Sequence, residues 1–158
     1  MSSRPDAAPL AGLLARELQV LESFVVLLQR EQELLASGAT ELLTALSAEK
    51  SGTTRELSNL AAARDGELAR LGHLQGRAGM DAWATGADSN GRDNWLRLLD
   101  LAARARALNE ANGKLIALQL QHNQQALNVL MAAVDQAVTY GPDGQQKPSG
   151  GGRSLGSA

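Results

Sequence analysis

Few residues in this chain could make or break bonds. Cysteine is absent, which removes thiol nucleophiles, thiolate metal sites and disulfides. The two histidines, His73 and His122, lie far apart in sequence, and neither completes the Glu-x-x-His spacing of a di-metal bundle. No serine sits on a strand-to-helix nucleophile elbow, and there is no phosphate-cradling P-loop and no Gly-x-Gly-x-x-Gly opening a helix after a strand. His122, among glutamines and asparagines, reads as a surface residue. Glu17, Glu22, Glu31, Glu33 and Glu49, with basic residues nearby, read as a solvated helix face. The expectation is a protein that is not an enzyme and carries no metal or cofactor.

The chemistry that remains is recognition. Asn109, Asn112 and Gly113 interrupt a helical stretch where Leu or Ala would be expected. They suit either a solvent-facing turn or a polar notch, in which the amides give directional hydrogen bonds and glycine admits another backbone. Beyond them, projection at about 100° per residue gathers Ile116, Leu120, Leu127, Leu130, Met131, Val134 and Val138 on one stripe. Leu115, Leu118, Ala126, Val129 and Ala133 form a second. Either the helix lies in a groove and buries both, which periodicity alone favours, or one stripe stays open for a partner helix. At the far end, Tyr140-Gly141-Pro142-Asp143-Gly144 combines an aromatic ring with turn chemistry. Tyr140 either folds back as a cap on the helix end or anchors a partner.

The elements that must position these residues are helical. Of the 158 residues 44% are hydrophobic, mostly Leu and Ala, and 3% are aromatic: Phe24, Trp83, Trp95 and Tyr140. Good helix formers dominate and strand formers are scarce, so the expected fold is all-α: an elongated antiparallel bundle of three main helices. The helices span roughly 9–37, 40–72 and 92–139. The first has a heptad-like seam of Leu14, Leu18, Leu21, Val25, Leu28 and Leu35, with Gln32 the polar interruption. Gly38 marks a break, after which Thr40 is placed to cap a second helix. That helix carries Leu43, Leu46, Leu57, Leu60, Leu68 and Leu71, with Lys50 and Arg64 irregularly at seam-like positions. Five glycines crowd residues 73–91 and their flank, which reads as a connector with one helical turn at Met80–Ala84. Residues 1–139 are expected to form a single helical domain. Residues 140–158, rich in Gly, Ser and Gln, are expected to be a disordered tail.

A net charge of −2 gives no basic field for nucleic acid or an acidic membrane. The apolar segment Leu10–Leu28 is broken by Arg16, Glu17 and Glu22, which does not suit a signal peptide. No run approaches the roughly 18 apolar residues of a membrane span. The expected location is the cytoplasm.

Three runs carry a resemblance to a known family. They are Leu108-Asn109-Glu110-Ala111-Asn112-Gly113-Lys114-Leu115-Ile116, then Asn123-Gln124-Gln125-Ala126-Leu127, then Tyr140-Gly141-Pro142-Asp143-Gly144-Gln145. With Glu17 and Glu31 in the first helix, Lys50 and Arg64 in the second and Trp95 opening the third, the chain resembles the FlgN family of flagellar export chaperones along essentially its whole length.

The resemblance implies a cytoplasmic chaperone that binds hook–filament junction proteins of the FlgK/FlgL type by their helical termini. It would hold them from premature assembly and deliver them to the type III export gate, as a monomer or weak homodimer, without ATP, metal or cofactor. On this reading Asn109, Asn112, Gly113, Leu115, Ile116, Leu120, Leu127, Leu130, Met131 and Val134 hold the client, while Tyr140, Gly141, Asp143 and Gly144 dock on the gate. The alternative is a structural coiled-coil interaction protein with no export role, for which Lys50 and Arg64 near the seam are unfavourable.

Overall fold

The computed structural model describes residues 5–139. Among them are four α-helices and a short 3-10 turn, with no strand: α1 (Ala8–Ser37), the turn Thr40–Leu42, α2 (Leu43–Arg70), α3 (Gly76–Gly86) and α4 (Ser89–Thr139). The expected all-α class is what the structure shows. Contacts divide the chain into two compact units, one ending at Ile116 and the next beginning at Ala117.

In the first unit, each helix end has a local cause. Pro9 sits in the opening turn of α1, where its missing N–H is no loss, and the Asp6 carboxylate accepts from the Ala8 N–H at 2.9 Å. Gly38, at φ 74°, takes the left-handed conformation that ends α1. Thr40 does not cap α2: it lies within the 3-10 turn and makes no side-chain cap bond. At the end of α2, Gly72 (φ 80°) lets the His73 N–H donate back to the Leu68 carbonyl at 2.9 Å, closing the last turn. The Asp88 carboxylate accepts from the Gly91 N–H at 2.8 Å and so caps α4.

The expected connector over 73–91 is corrected by α3. Its glycines serve close packing as well as turns. A Cβ at Gly79 would stand 1.6 Å from the Leu74 carbonyl oxygen, and one at Gly91 would stand 3.0 Å from the Trp83 ring. Those approaches bury Met80, Trp83 and Ala84 in the core, a larger apolar contribution than a single turn would make.

The α1 seam is buried as its spacing requires, with Leu10, Leu14 and Leu28 fully enclosed. Each such leucine contributes about 1.5–3 kcal/mol of transfer free energy. Leu68 from α2 and Trp95, Leu98 and Ala105 from α4 complete the cluster. Pairing between α1 and α2 is antiparallel. Glu17 meets Arg64 and Glu31 meets Lys50, so fourteen positions forward on α1 (17 to 31) match fourteen backward on α2 (64 to 50).

Candidate partner-binding surface

Two polar clusters interrupt this apolar interior. Glu31, on α1, is bonded by Lys50 Nζ at 2.9 and 3.0 Å and by the side-chain amide of Asn112 at 2.9 Å. The same amide donates to the Leu28 carbonyl at 2.8 Å, and Lys50 reaches Asn109 Oδ1 at 3.4 Å. Near the other end, Arg64 Nη1 donates to Glu17 at 2.6 Å and its guanidinium lies 5.4 Å from the centre of the Trp95 ring. Trp95 in turn donates its indole N–H to Asp81 at 2.7 Å. Burial pushes the Glu17 carboxyl above its usual 4.5, Arg64 opposes that rise, and nearby Asp65 adds to it.

Sequence reasoning missed both clusters. Glu17 and Glu31 are buried beside the seam, not part of a solvated face. The signal was present in their fourteen-residue spacing, two heptads, matched by the same spacing between Lys50 and Arg64. Glu22 does lie nearer solvent, paired with Arg97 at 2.6 Å.

The expected polar notch is split by the structure. Asn112 is 1% exposed and its amide is committed to α1, so it is not open to a client. Asn109 is exposed beside Lys50. Gly113 is exposed too, and a Cβ there would meet nothing within 4 Å, so no close backbone approach requires glycine. Leu115 is half-buried.

The second unit is described from Ala117 to Thr139, and all of it lies within α4. Every residue of that stretch is exposed except Gln119, which is half-buried. From Ile116 onward, nine large apolar side chains are 41–71% exposed: Ile116, Leu118, Leu120, Leu127, Val129, Leu130, Met131, Val134 and Val138. The reading in which α4 buries both stripes is therefore overturned. Both are open, on a scale that ordinarily marks an interaction surface. Tyr140, Gly141, Asp143 and Gly144 lie outside the described residues.

No group of three or more His, Asp or Glu side chains that could hold a metal occurs among the described residues, and no helix among them is long and apolar enough to cross a membrane. A cavity of about 780 Å³ beside α3 brings His73 and Asp88 to a wall otherwise made by Trp83, Leu71, Pro5, Gly86 and alanines, without a third polar side chain among the described residues.

Comparison with known proteins agrees with the family resemblance described above. The chain is 44% identical over 55 residues to the flagella synthesis protein FlgN of Yersinia enterocolitica, an alignment covering 35% of this chain and 37% of that protein. The same figures hold for the protein of that name from a serotype O:8 / biotype 1B strain. The match thus spans little more than a third of the length of these curated relatives. No solved structure matches. A family model described as FlgN protein, however, matches residues 1–148, and on that match the chain belongs to the FlgN family.

Proposed function

We propose that this protein is a chaperone of flagellar export. It holds hook–filament junction proteins of the FlgK/FlgL type by an amphipathic terminal helix, keeps them from assembling early, and passes them to the export gate. The observation that carries this reading is the exposed apolar surface of α4 from Ile116 to Val138, joined to membership of the FlgN family. A client helix laid along such a stripe buries its own apolar face, and the ordering it must undergo keeps the affinity moderate and the complex reversible. The chaperone works in the cytoplasm as a monomer or weak homodimer, and needs no cofactor. Its helical domain, residues 1–139, holds the client, and the tail from Tyr140 to Gly144 docks on the gate.

Leu127→Asp and Met131→Asp test the client site. Both residues are about half exposed, so helicity and melting should stay near those of the wild type. Affinity for a junction protein should fall roughly thirtyfold, the effect of losing a well-packed anchor. Loss of helix content and aggregation in both variants would mean that these side chains serve the fold instead. Tyr140→Ala tests delivery: binding to the cytoplasmic part of the gate should drop while melting and client affinity hold.

A further inference from the structure

We infer that Asn123 sets the register of the partner helix, and that this helix carries an uncharged seam with one hydrogen-bonding side chain facing Asn123. The inference rests on the chaperone reading and specifies the client chemistry it requires. At about 100° per residue, Asn123 falls in the middle of the stripe, seven positions after Ile116, four before Leu127 and eleven before Val134. It is exposed and has no partner for its amide among the described residues, whereas its neighbours Gln124 and Asn128 bond to each other at 3.1 Å. A helix laid on Leu127 and Val134 covers this amide as well. The same chain shows how a covered asparagine is held. Asn112, three turns earlier on α4, is buried with its amide N–H groups donating to a carbonyl and a carboxylate of α1, while its Oδ1 is buried without a partner among the described residues. An apolar side chain opposite Asn123 would leave the amide dry and unbonded, a penalty of about tenfold or more in affinity. A polar seam residue of this kind selects partner and register in helical pairs at some cost in strength.

Charge points the same way. Between Ala117 and Thr139, Asp135 is the one Asp, Glu, Lys or Arg. A charged group on the partner's seam would be buried against Leu127 without a counter-ion, so the matching seam is neutral. Association is then neither steered nor held by ion pairs.

The test is a comparison of two purified ligands: a hook–filament junction protein and a synthetic heptad helix whose seam is leucine throughout. The wild-type chain should prefer the junction protein by about tenfold or more. Asn123→Leu and Asn123→Ala should each bring the two affinities within about threefold, the alanine variant doing so without enlarging the apolar stripe. The wild-type Kd for the junction protein should change by less than about threefold between roughly 50 and 500 mM salt. Preference unchanged in both variants, or a Kd rising more than about tenfold with salt, overturns this inference and leaves the chaperone reading standing. Failure of the wild-type chain to bind the junction protein at all removes both.

Discussion

The side-chain amide of Asn112 lies 2.8 Å from the Leu28 carbonyl oxygen, across 84 positions of sequence. A second hydrogen of that amide reaches Glu31, so one asparagine ties α4 to both the backbone and the buried carboxylate of α1. Asn112→Ala should lower stability by about 1–3 kcal/mol, read from urea unfolding. A change below about 0.5 kcal/mol would show that the contact contributes no more than an ordinary surface residue.

Lys50 is the cation that answers Glu31, and the lysine side chain keeps 21% of its exposure. Lys50→Met leaves a buried carboxylate without its partner. The loss for a fully buried pair is about 3–5 kcal/mol, and the partial exposure of Lys50 places the expected loss near the bottom of that range. Removing both charges, in Glu31→Leu with Lys50→Met, should restore most of it. A double variant as unstable as the single one would mean that Glu31 matters mainly through Asn112.

Glu17 makes stability depend on pH in a direction opposite to that of an ordinary salt-bridged carboxylate. Its native pKa is raised from 4.5 because burial outweighs the pull of Arg64. The native state therefore binds the proton more tightly than the unfolded chain. The contribution of this group is complete below pH 4.5 and is lost as pH rises through the raised native value. Glu17→Gln lacks this titration, so its stability relative to the wild type should rise with pH across that window. Urea midpoints measured at several pH values decide the sign, and a relative stability that falls with pH would show that pairing with Arg64 dominates.

Glycine substitutions should divide by surroundings. Gly79→Ala would drive a Cβ into the Leu74 carbonyl and should cost about 2 kcal/mol or more, with α3 displaced. Gly52 and Gly66 lie inside α2, where a Cβ meets nothing within 4 Å. Alanine at either should raise stability by about 0.5–1 kcal/mol through helix propensity and the unfolded chain. Thermal melting of the three variants separates these outcomes.

Much of the fold was legible because leucine periodicity is a strong signal. The bounds of α1 and α2 fall within two or three residues of those read from spacing, and Gly38 ends α1 as expected. The third helix of the sequence reading begins three residues earlier in the structure, at Ser89. What escaped were features that depend on a partner rather than on local pattern. A glycine that breaks a helix and a glycine that lets Leu74 or Trp83 come close are the same letter, so α3 was hidden within a connector. Glu31 resembles any surface glutamate until Lys50 and Asn112 are placed around it. The open surface of α4 was ambiguous from its two stripes. Length carried the better clue: α4 has 51 residues against 30 in α1 and 28 in α2.

A leucine heptad is promiscuous, since any other leucine heptad of suitable length can lie against it. In α1 the carboxylates of Glu17 and Glu31 remove that freedom. A foreign helix taking the place of α2 would have to present cations fourteen residues apart, as Arg64 and Lys50 do, or leave two buried charges unanswered. The hairpin is thus keyed to itself. For a protein proposed to grasp the helices of others, this works as insulation: strangers are refused at the interior and met at the exposed apolar stripes of α4.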